Sequence, residues 1–156
     1  MDDTADTAQV IIRPPLAWGL AVIAGLALNW LIPLPFLPAD LPAGWLGTMV
    51  FVLALGLIAW AIITITRAAS NVPTNLPTTT IVESGPYRFT RNPMYVGMAT
   101  LYVGGTLLLN DLWPLALLPV VIALVQRRVI AKEEAYLERT FGDVYRAYKA
   151  RVRRWI

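Results

Sequence analysis

Long charge-free apolar runs alternate with short polar connections along this chain. The first run extends from Leu16 to about Ile32, within a span placed at 14–33, and Asn29 is its one strongly polar member. Pro33, Pro35, Pro38 and Pro42 then break any helix and leave a short exposed connection carrying Asp40. The second run, 44–66, has 23 residues without a charge and is closed by Arg67. That is enough to cross a hydrocarbon core of ~30 Å with some tilt. Residues 68–92 are polar and rich in Pro and Thr. A third run occupies 93–109, Asn110-Asp111 makes a hairpin, and a fourth run begins at Leu112. Pro114 suits the first turn of that helix, whereas Pro119 predicts a kink. Past Val125 the helix is expected to continue into water, so the fourth span is placed at 112–130 and a charged extension at 131–156. Phe141-Gly142-Asp143 reads as a stop followed by a new N-cap. A last amphipathic helix puts Val144, Tyr145, Tyr148 and Val152 on one face. The pattern predicts an all-α polytopic membrane protein, one unit over 1–156, with about four transmembrane helices and a C-terminal helical extension.

Composition sharpens this picture and removes much chemistry. The chain is 57% hydrophobic and 15% charged, with no cysteine and no histidine. Disulfides, thiolate nucleophiles, imidazole bases and the usual zinc sites are therefore excluded, and no metal site is expected. Carboxylates, Arg, Tyr, Asn and backbone groups remain. The net charge of +3 reads as membrane topology, since no basic groove with stacking aromatics suggests nucleic acid. Residues 1–12 are polar and acidic and are expected to fray. They lack the basic start and small-residue cleavage site of a signal peptide. With four spans, all thirteen Lys and Arg residues fall on the side of the N-terminus, the 67–92 connection and the C-terminal extension. The other side holds Asp40 and Asp111. By the positive-inside rule the basic side, with both termini, is cytoplasmic.

The connection and the extension therefore meet the same aqueous face and are placed to build one site. In the segment from Glu83 to Gly97, Gly85-Pro86 reads as a tight turn. Asn92-Pro93 reads as a helix start with Asn as N-cap and Pro at the first helical position. Tyr87, Arg88 and Arg91 lie between. Glu133 and Glu134 have no cationic neighbour at helical spacing. The ordinary expectation is that both are solvated; otherwise their partners come from elsewhere, with Arg88 and Arg91 the candidates, or from a cationic ligand. Arg127 and Arg128 sit at the membrane border, suited to interfacial anchoring or to holding an anionic headgroup or carboxylate. Tyr136, Tyr145, Tyr148 and Trp155 read as packing or interfacial anchors, and Arg151, Arg153 and Arg154 as attractors of anionic lipid. Gly97 and Gly104, seven apart, either allow close helix packing or open a groove for a ligand's tail.

Several linked stretches carry a resemblance. They are Ile81 to Tyr87, Arg91-Asn92-Pro93-Met94-Tyr95-Val96-Gly97, Glu133-Glu134-Ala135-Tyr136-Leu137, Phe141 to Tyr145, Tyr148, and Arg151 to Ile156. Over roughly 72–156 the chain resembles the isoprenylcysteine carboxyl methyltransferase and phospholipid methyltransferase family of integral membrane enzymes. The resemblance implies S-adenosylmethionine as cofactor, bound at the cytoplasmic membrane edge. Carried over by position, Thr79, Thr80, Ile81, Val82 and Tyr87 line the pocket, and Asn92, Pro93, Met94 and Tyr95 meet the cofactor at a helix N-terminus. Glu133 binds its cationic or ribose side, with Glu134 the alternative, and Arg127 or Arg128 lies nearest the acceptor. The implied partners are a lipophilic or lipidated substrate and membrane lipid. One departure stands out: the family often has His where this chain has Asn92, and an amide cannot shuttle a proton. A carboxylate acceptor needs no deprotonation, so the poverty in bases leans toward an isoprenylcysteine-like O-methyltransferase. A phospholipid amine N-methyltransferase, an NADPH-dependent membrane reductase and a non-catalytic membrane subunit are the alternatives.

Overall fold

The computed structural model describes residues 14–38, 40–71 and 77–156. Their helices are α1 (Pro14–Leu31), α2 (Ala43–Arg67), α3 (Pro93–Leu109), α4 (Leu112–Val125), α5 (Ala131–Phe141) and α6 (Asp143–Arg151). A 3-10 turn, Gly85–Arg88, precedes α3, and a single π turn, Gln126–Ile130, joins α4 to α5. No strand occurs among the described residues. The first three expected spans differ from α1, α2 and α3 by at most two residues, and the fourth, 112–130, takes in α4 and the π turn. Expectations for residues 1–12 and Arg13 lie outside the described residues.

Among the described residues, three helical runs are long and apolar enough to cross a membrane: α1, α2 and the continuous run Leu112–Phe141. The third expected span is shorter. The 17 residues of α3 rise only ~26 Å at ~1.5 Å per residue, less than a ~30 Å core. It is also well enclosed, burying Tyr95, Gly97, Tyr102, Gly104 and Thr106. The charge-bearing part of the last run, from Arg127 onward, follows the apolar stretch that ends at Val125.

Lipid tails offer no hydrophobic drive between helices, so close packing must supply the attraction. The α2–α3 seam is built for it. The residues α2 buries are Gly47, Ala54 and Ala61, a repeat of seven that keeps small side chains on one face. They meet Gly97 and Gly104 of α3. A Cβ on Gly47 would come within 2.6 Å of the Leu108 nitrogen, and one on Gly104 within 2.8 Å of the Phe51 nitrogen. On Gly97 it would lie 2.5 Å from Ile58 Cγ1. The paired glycines of α3 therefore serve helix contact, and α2 fills the groove they might have offered a ligand's tail.

At the end away from the charges, the hairpin forms as expected. Asn110 takes left-handed backbone geometry with φ 47°. Its Oδ1 accepts from the backbone N–H groups of Phe36 and Leu37 at 3.1 and 2.8 Å, pinning the proline-rich connection. Asp111 caps α4 by accepting from the Trp113 N–H at 3.0 Å. Pro114 sits in the first turn and Pro119 inside the helix, which continues through it. At the other end Gly142 (φ 52°) separates α5 from α6. Asp143 is the first residue of α6 rather than its cap; its carboxylate binds exposed Arg146 one turn on.

Candidate functional site

The cleft opens where the segment before α3 faces α5 and α6. Pro86 and Tyr87 bury the 3-10 turn, and the Tyr87 carbonyl accepts a hydrogen bond from the Tyr148 hydroxyl at 2.8 Å. That bond ties the turn to α6. On the other wall, the π turn inserts an extra residue into the helical register beyond α4, and such single turns recur at functional sites. With this register α5 presents Glu133, Glu134, Tyr136 and Leu137 to a cavity of about 140 Å³. The first wall contributes Thr80, Ile81, Val82, Tyr87, Arg91, Asn92, Pro93, Met94 and Tyr95. Ser70, Asn71 and Thr78 close one side and Tyr145 and Tyr148 another.

The two adjacent carboxylates have different surroundings. Glu134 is buried at 6% exposure. It accepts from Arg154 Nε and Nη2 at 3.0 and 2.6 Å, and Arg91 Nη1 lies 3.2 Å from Oε1, the oxygen that also accepts from Arg154 Nε. A buried carboxylate between two guanidiniums is satisfied and fixed in place. Glu133 is only partly exposed, and it accepts from the Tyr95 hydroxyl at 2.8 Å. Among the described residues no ion pair holds it. Enclosure pushes its carboxyl up to about 7; the Tyr95 hydrogen bond opposes that rise and the Glu134 charge adds to it. The cleft therefore holds one neutralised carboxylate and one without a cation.

The phenols around them remain donors at neutral pH. Burial, with the Glu134 charge, pushes Tyr145 up to about 12, and burial raises Tyr87 and Tyr148 further. The Tyr145 hydroxyl in turn accepts from Arg91 Nη1 at 3.4 Å.

Most of the residues singled out in the sequence come together here, with informative exceptions. Thr79 points elsewhere, its hydroxyl donating to the Ala69 carbonyl at 2.8 Å. Arg127 and Arg128 are exposed on the π turn and do not line the cleft. Solvation of both carboxylates is overturned, since burial of Glu134 required a charged partner. Arg91 is that partner, and Arg88 is exposed instead. Asn92 occupies the N-cap position of α3, but its side chain makes no cap. Its amide Nδ2 donates to the Arg154 carbonyl at 2.9 Å, so it fastens another segment rather than the helix start. Arg154 itself was missed, because nothing in a local sequence window points from it to Glu134, twenty residues earlier. Tyr145 and Tyr148, one turn apart on a face that also carries apolar residues, were readable as buried but not as cleft walls. Tyr136 accepts from the Thr78 N–H at 3.1 Å, again on a wall.

A sequence model of the family described as phospholipid methyltransferase matches residues 42–144, which takes in α2 through α5 and both walls of the cleft. The chain belongs to the phospholipid methyltransferase family. Membership makes it an integral membrane methyltransferase, in a family that includes isoprenylcysteine carboxyl methyltransferases. It is also similar to an uncharacterized protein of Haemophilus influenzae, 43% identical over 65 residues, which is 40% of this chain and 100% of that relative. No solved structure matches.

Proposed function

We propose that this membrane methyltransferase uses S-adenosylmethionine, held in the cleft between the pre-α3 segment and α5, to methylate a lipophilic acceptor. The observation that carries the reading is Glu133: a carboxylate facing the cleft, held by Tyr95, with no ion-pair partner among the described residues. A cationic ligand is the complement such a group lacks. The rest of the lining fits the same molecule. Ile81, Val82, Pro93 and Met94 offer apolar surface for a flat base, while Thr80, Tyr87 and Asn92 offer polar atoms beside it. When bound, the cofactor supplies an electrophilic methyl group on a sulfonium.

What the chain's own residues do is positioning and exclusion of water, the main needs of an in-line displacement. Tyr95 fixes the Glu133 carboxylate, and Arg91 with Arg154 fixes Glu134 beside it. The N-terminus of α3, opening at Pro93, favours a ligand carboxylate. Arg127 and Arg128, exposed at the membrane border, are suited to an acceptor's anionic group or to a lipid headgroup outside the cleft. The segregation of Lys and Arg to the cleft's end of the molecule supports a cytoplasmic site. An isoprenylcysteine-like carboxylate is the acceptor that demands least of the residues present.

A second reading has its own observation. A carboxyl poised near 7 is well matched to accept a proton at neutral pH, and Glu133 is such a group. An ethanolamine-type amine, which must shed a proton before it attacks, would then find its base in Glu133, and the family's phospholipid N-methylation becomes accessible without histidine.

Calorimetry with S-adenosylhomocysteine on the purified protein tests the cofactor. Saturable binding by the wild type, lost in Glu133→Ala, supports the reading. Heat evolved with NADPH and none with the homocysteine compound would overturn it in favour of a reductase.

A further inference from the structure

The segment after α6 is built as a fastening across the cleft. Helix α6 ends at Arg151, and Val152 turns the chain extended at φ −118°, ψ 131°. The next three residues reach both walls. The Arg153 carbonyl accepts from the Arg91 N–H at 2.9 Å. The Arg154 carbonyl accepts from Thr90 Oγ1 at 3.1 Å and from Asn92 Nδ2 at 2.9 Å. All three donors belong to the pre-α3 wall. The Arg154 guanidinium turns the other way, into the two-pronged contact with Glu134 of α5. Trp155 donates from Nε1 to Gln126 Oε1 of the π turn at 3.0 Å. Its ring packs on the buried cluster that includes Tyr95, Val125, Val129 and Ile130.

We propose that Arg154 is a positioning residue whose backbone holds the pre-α3 wall, whose guanidinium holds Glu134, and which thereby sets the width of the cleft for its ligand. The proposal rests on the cofactor reading above for its functional consequence and on geometry alone for its structural one. Planar guanidinium suits the task because two parallel N–H bonds fix direction as well as distance. A lysine in its place keeps the charge but offers a point contact. Asn92 gains a purpose here: its amide donates to the fastening segment, a role that a side chain without an N–H donor cannot fill. The exposed Arg151–Glu83 pair, at 2.8 Å, lies beside this set and outside the cleft lining, and so serves as an internal control.

The absence of native cysteine permits a direct test. Cysteines introduced at exposed Phe89 on one wall and exposed Ala135 on the other carry spin labels, and their separation is read by pulsed dipolar spectroscopy on the full chain in lipid nanodiscs. Arg154→Gln is expected to broaden and lengthen the distance distribution, Arg154→Lys to restore it in part, and Arg151→Gln to leave it unchanged. In parallel, S-adenosylhomocysteine affinity should fall by about tenfold in Arg154→Gln, the scale of losing a charge-assisted hydrogen bond. It should recover partly in Arg154→Lys. A distance distribution unchanged by Arg154→Gln overturns the proposal whatever the affinity does. If that variant proves too unstable to purify, Trp155→Phe, which removes the Nε1 donor and part of the ring that packs on the cluster, should broaden the same distribution; an unchanged distribution there also overturns it. Failure of the wild type to bind the probe overturns the cofactor reading instead, and leaves the label distances to decide the fastening.

Discussion

Two neighbouring glutamates on one helix are distinguished by what each touches. Glu134 is spoken for by Arg91 and Arg154, whereas Glu133 has only a phenol. Because the Glu133 carboxyl is raised to about 7, it binds a proton over a pH range where the unfolded chain, near 4.5, does not. Folding stability from this group therefore declines as pH rises from about 4.5 to 7 and is level above. A cationic ligand reverses the preference by favouring the charged form. S-adenosylmethionine affinity should tighten as pH climbs toward 7 and flatten beyond it. Glu133→Gln should bind weakly and without that slope, as calorimetry over a pH series would reveal. Tyr95→Phe removes the bond that favours the charged form, so the midpoint of the slope should move upward. Unchanged profiles in both variants would remove Glu133 from the binding site. The sequence marked Glu133 and Glu134 as residues lacking local partners, which was correct. It offered Arg91 among the candidates but could not point to Arg154, which approaches from a segment twenty positions away whose path depends on the turn at Gly142 and the extended Val152.

Among the elements, hydrophobic runs and proline punctuation point to α1 through α4, and the glycine of Phe141-Gly142-Asp143 to the break between α5 and α6. Run length already shows α3 to be shorter than α2, but it could not reveal that its glycines face a helix rather than a ligand. That depends on which face α2 presents, and the seven-residue repeat of Gly47, Ala54 and Ala61 has meaning only beside Gly97 and Gly104. The distinction is testable with two adjacent glycines. Gly104→Ala forces a Cβ against the Phe51 backbone, while nothing lies within 4 Å of a Cβ on Gly105. Gly104→Ala should destabilise the protein by about 1–3 kcal/mol, the usual cost of overpacking, and Gly105→Ala should be neutral or slightly stabilising. Thermal unfolding in one detergent compares them; equal midpoints would contradict the seam. The π turn likewise has no sequence mark, since Gln126-Arg127-Arg128-Val129-Ile130 reads as ordinary helix. Its consequence, the register of α5, is the reason Glu133 reaches the cleft while Arg127 and Arg128 do not.

Across the whole molecule, charge and chemistry share one end. Every Lys and Arg of the described residues lies there, with Asp40 and Asp111 at the opposite end. On the positive-inside rule we expect that end to face the cytoplasm. In the cysteine-free chain, a single cysteine at position 40 should react with an impermeant maleimide on intact cells, and one at position 146 only after permeabilisation. The opposite pattern would invert the topology. The family match over residues 42–144 spans both walls of the cleft but ends before the segment that fastens them, so fold and reaction class are carried by the matched region and cleft width by the residues beyond it. In the proposed reading this cleft transfers a methyl group to an acceptor that lives in the bilayer. Membranes holding the purified protein, given methyl-labelled S-adenosylmethionine and a host lipid extract, test it most directly. Label should pass into the organic phase with the wild type and fall to background with Glu133→Gln. An organic phase free of label with the wild type, under conditions where the cofactor binds, would rule out methyl transfer to a lipid acceptor in this cleft.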